Sequence, residues 1–137
     1  MIEKAVNDWH HVMKNNDVVG LDALLADDAV FHSPVVHTPQ IGKAITKLYL
    51  SAAFKVFYND TFTYIRELRS EKDAVLEFTV TIDGIIVNGV DMITCNDAGQ
   101  IVDFKVMIRP LKAVHLIQQK MGDMMQSMKN EKLKIKR

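Results

Sequence analysis

Residues 89–110, GVDMITCNDAGQIVDFKVMIRP, carry the pattern that most constrains the fold. The tetrapeptide Asn-Asp-Ala-Gly at positions 96–99 supplies side chains that bond to their own backbone, and its glycine accommodates a positive φ. Apolar runs flank this turn, and the second run alternates with polar residues at the period of a strand with one buried face. The stretch therefore predicts an antiparallel hairpin of two long strands.

One acid, Asp91, lies among apolar residues in the first strand of this hairpin. Asp91 shares a strand face with Ile93 and Cys95, while Val90 and Met92 lie on the opposite face. Its neighbours are therefore apolar whichever face is buried. We predict that Asp91 is a catalytic residue or the polar anchor of a ligand pocket.

The ionisation of Asp91 is open at the level of the sequence. Burial among Ile93, Phe104 and Val106 favours the neutral carboxyl, whereas a cation such as Arg109 beside it favours the carboxylate. Phe104 and Val106 lie on the apolar face of the second strand. We predict that both contact the substrate or ligand.

The composition is that of one domain. The chain has 137 residues and is 48% hydrophobic, which is enough for a core without metal or disulfide bonds. Its one cysteine, Cys95, excludes an intramolecular disulfide and fits a reducing cytoplasm. No secretion signal precedes the first helix, and no apolar run reaches the length of a membrane span. We expect a soluble cytoplasmic protein that does not bind membranes.

The formal net charge is zero, which favours neither a nucleic acid nor an acidic partner. Residues 129–137, KNEKLKIKR, nevertheless hold five basic residues and one acid. We predict that this segment is a frayed, solvated tail. Residues 1–128 then form the single domain.

Helical spacing of apolar residues predicts four helices. The first, at about 2–15, directs Trp9 toward the core, where its indole N–H needs an acceptor or a ligand. A short second helix follows, and a third covers about 42–57. A Met-rich amphipathic helix begins after Pro110.

Alternation and β-branched content predict strands at 30–33, 62–68 and 74–82 in addition to the hairpin. Pro34 ends the first of these, and the loop after it carries His37. Such loops often form the rim of a site. The order of elements predicts an α+β fold in which a curved antiparallel sheet wraps over the N-terminal helices, with a C-terminal helix added.

Three runs occur in a characteristic order: LLADDAVFHSPVV, IGKAI and GVDMITCNDAGQIVDFKVMIRP. In this order and spacing they resemble the nuclear transport factor 2-like (NTF2-like) superfamily, in particular its SnoaL-like polyketide cyclase and ketosteroid isomerase branch, over about residues 9–110. The resemblance implies a cone-shaped fold with an apolar pocket, commonly in a homodimer packed through the sheet. Because the same fold serves enzymes, binding domains and scaffolds, the resemblance does not fix a function.

The resemblance carries roles to three positions. Asp91 matches the acid that ketosteroid isomerases keep protonated, so that it donates a hydrogen bond to a developing oxyanion. Trp9 falls where those enzymes carry an oxyanion-binding tyrosine, and Ser33 falls where they carry the proton-shuttling aspartate. We therefore expect Trp9 and Ser33 to contact the substrate, although a neutral hydroxyl is no base at pH 7 without one beside it.

Two histidines near the predicted pocket are candidates for the missing base. His32 adjoins Ser33, and neighbouring strand residues face opposite sides unless a bulge intervenes. His37 lies on the loop beyond Pro34. We predict that His32 or His37 assists Asp91 in catalysis.

No cofactor or metal is predicted. His10 and His11 follow each other on a helix and point about 100° apart, since a turn takes 3.6 residues. The sequence has no H-E-x-x-H motif, cysteine pair, glycine-rich phosphate loop or nucleic-acid-binding module.

Three hypotheses on function remain open. The first is an acid–base enzyme of the cyclase or isomerase type that acts on a small apolar carbonyl compound through Asp91. The second is a non-catalytic protein that binds a small hydrophobic ligand in the same pocket. The third is a dimeric interaction scaffold that uses its Met-rich helix.

Overall fold

A computed structural model of the chain describes residues 1–135. Four helices and six strands form an α+β fold, as predicted. The last helix continues to Ile135 and so includes residues 129–135 of the predicted tail, whereas residues 136–137 lie outside the described part. Fraying of this segment stays a prediction. The elements are α1 (Ile2–Asn15), α2 (Val18–Leu24), β1 (Leu25–His32), β2 (Gln40–Ile41), α3 (Lys43–Phe57), β3 (Thr63–Arg69), β4 (Asp73–Ile82), β5 (Ile85–Cys95), β6 (Ile101–Arg109) and α4 (Leu111–Ile135).

The strands form one curved sheet in the order β2-β1-β6-β5-β4-β3. Strands β3 to β6 make an antiparallel meander, whereas β1 pairs in parallel with β6. The sheet is therefore mixed rather than wholly antiparallel as predicted, because β1 runs parallel to β6 while the edge strand β2 runs antiparallel to β1. Strand β5 lies in the interior of the sheet, and β3 forms an edge.

The predicted hairpin is confirmed as β5 and β6. At its turn, Asn96 Oδ1 accepts hydrogen bonds from the backbone N–H groups of Ala98 and Gln100, both at 3.0 Å. Gly99 adopts a φ of 76°, a left-handed conformation that favours glycine. Local side-chain bonding and one glycine therefore explain why the chain reverses here.

Alternation divides the sheet into an inner and an outer face. On β4, the side chains of Leu76, Phe78, Val80 and Ile82 are buried on the inner face. Gly89 on β5 makes room for this packing, because a Cβ there would lie 2.6 Å from the ring of Phe78. The outer face carries the half-buried or exposed residues of the same strands.

Trp9 joins the helices to the inner face of the sheet. Its ring lies 4.7 Å from that of Phe104 on β6 and 5.3 Å from that of Phe54 on α3, measured between centroids. These contacts confirm that Trp9 faces the core. None of the described helices is long and apolar enough to cross a membrane.

Candidate functional site

A narrow cavity lies between α1, α3 and the inner face of the sheet. It holds about 40 Å³ of space for the centres of water-sized molecules, which is room for about three waters. Among the residues that the structure describes, Asp91 supplies its one carboxyl group; the other lining residues are Trp9, Met13, Leu50, Ala53, Phe54, Phe57, Tyr58, Phe62, Phe78, Phe104 and Val106.

Asp91 reaches this cavity from the middle of β5. It pairs in register with Leu76 on β4 and Val106 on β6, and only 6% of the residue is exposed. Its Oδ2 lies 2.5 Å from the hydroxyl oxygen of Tyr64. Its Oδ1 has no donor among the described residues but is not enclosed by protein atoms, so it faces the cavity.

Tyr64, on the edge strand β3, connects Asp91 to α1. The indole Nε1–H of Trp9 donates to the Tyr64 hydroxyl oxygen at 3.0 Å. Because indole is a donor only, the hydroxyl accepts from Trp9 and donates its own proton to Asp91. The Sδ atom of Met13 lies 3.7 Å from the same hydroxyl. The three side chains therefore form a directed chain, from Trp9 through Tyr64 to Asp91.

Burial dominates the proton equilibria of this chain. It raises the pKa of Asp91 from its ordinary 3.8 to about 7, although the hydrogen bond from Tyr64 acts in the opposite direction. Burial also raises the pKa of Tyr64 well above its ordinary 10.0, and the neighbouring charge of Asp91 adds to the effect. Tyr64 consequently remains a donor, while Asp91 populates both its neutral and ionised forms near neutral pH.

Three residues predicted to contact a substrate, Trp9, Phe104 and Val106, line the cavity with Asp91. Ser33 does not line it: β1 ends at His32, and the Ser33 hydroxyl accepts a hydrogen bond from the Val35 N–H at 3.1 Å. The Ser33 side chain therefore stabilises the following turn.

Neither histidine predicted as a base lines the cavity. His32 lies on the outer face of the sheet, where its Nε2 is 2.9 Å from Oδ1 of Asp103. His37 lies on the exposed loop that follows β1. The inward position on β1 is occupied by Phe31, whose ring stacks on Tyr49 at 5.3 Å. A buried aromatic ring therefore lies on the part of β1 that was expected to supply a base.

Tyr64 is the site residue that sequence analysis missed. The segment that contains it was predicted only as a strand. The sequence offered one clue to it, because the indole N–H of Trp9 needs a hydrogen-bond acceptor. A tyrosine hydroxyl is a natural acceptor for an N–H group in a core. The pairing was not predictable because Tyr64 adjoins a register shift between β3 and β4.

Among the described residues, no group of three or more histidine, cysteine, aspartate or glutamate side chains is arranged to hold a metal ion. The cavity therefore offers one carboxyl group in an aromatic and aliphatic wall. Such a site can transfer one proton, or donate or accept one hydrogen bond.

Comparisons with known proteins agree with this architecture. The chain is similar to the crystal structure of a steroid delta-isomerase from Pseudomonas aeruginosa, with 35% identity, a TM-score of 0.80, and coverage of 94% of this chain and 91% of that chain. It is also similar to a protein with a cystatin-like fold from Silicibacter pomeroyi, with 31% identity, a TM-score of 0.77, and coverage of 90% and 84%.

A putative polyketide cyclase from Sinorhizobium meliloti shares the fold, with 20% identity, a TM-score of 0.61, and coverage of 75% of this chain and 93% of that chain. No curated protein matches the sequence. The family model of the SnoaL-like domain matches residues 6–104, which is most of the chain. The chain therefore belongs to the SnoaL-like family of the NTF2-like superfamily.

Proposed function

We propose that this chain is an acid–base enzyme of the isomerase or cyclase type, and that Asp91 transfers a proton to and from a small, mainly apolar carbonyl compound. One observation carries the proposal: a buried carboxyl faces an apolar cavity with one oxygen free, while its other oxygen is held by Tyr64. The similarity to a steroid delta-isomerase supports the same class of reaction.

The proposed step uses both protonation states of Asp91. The carboxylate takes a proton from the carbon next to the carbonyl, the C–H electron pair forms a C=C bond, and the carbonyl π pair moves to oxygen. In a β,γ-unsaturated ketone, neutral Asp91 then returns the proton to the γ-carbon. The Cβ=Cγ π pair forms the new C–H bond, the enolate C=C π pair moves to form the conjugated Cα=Cβ bond, and an oxygen lone pair re-forms the C=O bond. A pKa of about 7 suits this exchange, because both forms are available near neutral pH.

The hydrogen-bond donors that are available in the cavity narrow the class of substrate. An enolate oxygen needs hydrogen-bond donors, but the Trp9 N–H and the Tyr64 O–H are both engaged within the chain that ends at Asp91. Among the described lining residues this leaves the hydroxyl of the exposed Tyr58. A substrate whose C–H bond is already acidified needs less help from the protein. We therefore favour β,γ-unsaturated ketones and 1,3-dicarbonyl compounds over simple ketones.

Ligand size depends on the side chains nearest to solvent. The present cavity volume of about 40 Å³ is too small for a ring compound. Tyr58 is exposed, and Met13 and Phe62 are half-buried, so these lining side chains have the most freedom to move. Admission of a ring compound requires that they rotate outward.

The proposal is tested with the β,γ-unsaturated isomer of cyclohexenone, whose conversion to the conjugated isomer is followed by ultraviolet absorbance. Asp91→Asn keeps the size of the side chain but removes the base, so turnover should fall by about a hundredfold or more. The matched control is Asp28→Asn, an exposed acid on β1, which should leave turnover unchanged. Undiminished turnover in Asp91→Asn would eliminate Asp91 as the catalytic group.

A second candidate is a non-catalytic protein that binds a small hydrophobic ligand. It is favoured by one specific observation: within the described residues, no second carboxyl group and no imidazole lines the cavity with Asp91. Exchange of the α-protons of a 1,3-diketone in heavy water, followed by NMR, separates the two candidates. Binding without accelerated exchange supports the second, whereas accelerated exchange that depends on Asp91 supports the enzyme.

We further propose that the chain forms a homodimer through the outer face of the sheet. This face presents an apolar patch, which we name the outer patch and define as Val75, Ile86, Val90, Met92 and Met107. Two cross-strand pairs bring its members together, Val75 with Met92 and Val90 with Met107.

The buried thiol of Cys95 fits the reducing cytoplasm, the compartment that we propose.

A further inference from the structure

We propose that His10, through its hydrogen bond to Glu67, is a positioning residue that holds Tyr64 against Asp91. Its importance for turnover rests on the function proposed above, but the positioning itself is a property of the folded chain. His10 and Glu67 join α1 to β3 at the surface, directly outside the contact between Trp9 and Tyr64.

The backbone alone gives Tyr64 weak support. Strand β3 forms an edge of the sheet and pairs only with β4 among the described strands. The pairing shifts register between Tyr64 and Arg66, so a bulge adjoins the very residue that must reach Asp91. Asp91, by contrast, lies on β5 between two paired strands. The distance between the two side chains therefore depends on what fixes β3.

Side chains of α1 provide this support at two levels. Inside the fold, Trp9 donates to the Tyr64 hydroxyl. At the surface, Nε2 of His10 lies 3.1 Å from Oε1 of Glu67, and the His10 ring meets the Tyr64 ring edge-on at 5.3 Å between centroids. His10 thus contacts both the aromatic ring of Tyr64 and the residue three positions further along β3.

The charge of Glu67 determines the direction of its bond with His10. Arg69 binds the other carboxyl oxygen of Glu67 through Nε at 2.5 Å. Burial acts to raise the pKa of Glu67, but the hydrogen bonds from His10 and Arg69 outweigh it and the pKa is lowered. An ionised carboxylate only accepts hydrogen bonds, so Nε2 of His10 is the donor. The groups that face His10 are Glu67 and Tyr64, with Arg69 behind the carboxylate.

The positioning has a measurable consequence at Asp91. The hydrogen bond from Tyr64 favours the carboxylate of Asp91 and so lowers its pKa against the effect of burial. If the Tyr64 hydroxyl moves away while the cavity wall keeps Asp91 buried, this stabilisation weakens. The pKa of Asp91 should then rise further.

The experiment is an NMR titration of protein labelled with ¹³C at the aspartate carboxyl, in which Asp91→Asn identifies the Asp91 signal. In His10→Ala the pKa of Asp91 should rise by about half a unit. His10→Gln should restore the wild-type titration, because its side-chain amide nitrogen can replace Nε2 as the donor to Glu67. His115→Ala, an exposed histidine on α4, is the matched control and should leave the titration unchanged.

A double-mutant cycle adds a second test. If His10 acts through Glu67, the shift in His10→Ala/Glu67→Ala should equal the shift in either single variant. An unshifted or lowered pKa of Asp91 in His10→Ala, or independent additive shifts in the double variant, would overturn the proposal. Should His10→Ala fail to fold, the same comparison is made between His10→Gln, which reaches Glu67, and His10→Asn, which is too short.

The titration needs no substrate, so the two proposals can fail separately. A shifted Asp91 in a protein without turnover would retain the positioning role and reject the enzyme. Turnover that depends on Asp91, together with an unshifted pKa of Asp91 in His10→Ala, would retain the enzyme and reject the positioning role.

Discussion

The hydroxyl of Tyr64 lies 2.5 Å from Oδ2 of Asp91, and this contact joins an edge strand to the interior of the sheet. It gives the buried carboxyl a partner that carries no charge. A cation at the same place would fix Asp91 as a carboxylate, whereas a phenol leaves both protonation states accessible. The neutral partner therefore distinguishes an exchangeable proton from a structural ion pair.

Tyr64→Phe should destabilise the fold and raise the pKa of Asp91. The change removes the hydroxyl that donates to Asp91 and accepts from the Trp9 N–H. Two buried polar groups, the Asp91 carboxyl and the Trp9 indole N–H, therefore lose this hydrogen-bond partner. We expect the free energy of unfolding to fall by about 1–3 kcal/mol. Urea denaturation at pH 5 and pH 8 measures this, and the loss should be larger at the higher pH, where the carboxylate needs the hydrogen bond most.

Tyr49→Phe is the matched control for this change. Tyr49 is half-buried and stacks on Phe31, but its hydroxyl has no hydrogen-bond partner among the described residues. Its removal should change the unfolding free energy little, and equally at both pH values. Equal losses in the two variants would contradict the role assigned to Tyr64.

Asp91 should make the fold less stable as the pH rises. Its pKa is about 7 in the folded protein, against the ordinary 3.8 expected in the unfolded chain. Between these values the folded state binds the proton and the unfolded state does not, so the unfolding free energy falls with increasing pH. Below pH 3.8 this penalty is absent, and above pH 7 it is complete.

Asp91→Asn removes the titrating group and isolates its contribution. The stability of Asp91→Asn relative to wild type should increase between pH 4 and pH 8, by up to about 4 kcal/mol. Urea denaturation of both proteins across this range provides the measurement. Parallel stability curves would mean that Asp91 titrates at its ordinary pKa.

The local pattern of the chain was sufficient to predict most elements of the fold. The turn at 96–99 forms because Asn96 and Gly99 satisfy its bonding and conformational needs without distant contacts. Alternation likewise determines the inward face of β4. The position of Asp91 followed from the same periodicity, because its strand neighbours are apolar on both faces.

Features that depend on pairing between distant segments were not predictable. The contact between Trp9 and Tyr64 joins residues 55 positions apart and depends on the register of an edge strand. The expectation for Ser33 assumed that β1 continues to that residue, but the strand ends at His32. His32 then points outward, because Phe31 is larger and more apolar and takes the buried position.

Trp9 should report the titration of Asp91. It is the one tryptophan of the chain, and a single hydroxyl separates its indole from the carboxyl. Its fluorescence should change with a midpoint near pH 7, and this transition should disappear in Asp91→Asn. Because His10 is next to Trp9 in the sequence, the measurement is repeated in His10→Gln to exclude His10 as the source of the signal. A transition that survives in Asp91→Asn would assign the signal to another group.

The outer patch should mediate association of two chains. Ile86 is 65% exposed and Met107 is 48% exposed, although both lie on a sheet face with other apolar residues. A lysine at either position places a charge where a partner's apolar surface would exclude water. Ile86→Lys or Met107→Lys should therefore shift the protein from dimer to monomer in sedimentation-velocity experiments.

Val19→Lys is the control for this shift, since Val19 is 81% exposed on α2, away from the sheet. It adds the same charge at a more exposed apolar site and should leave the dimer intact. If all three variants sediment like wild type, the outer patch is not the interface. If Val19→Lys alone dissociates the dimer, the interface includes α2, and the sheet face must then be solvated in the assembled protein.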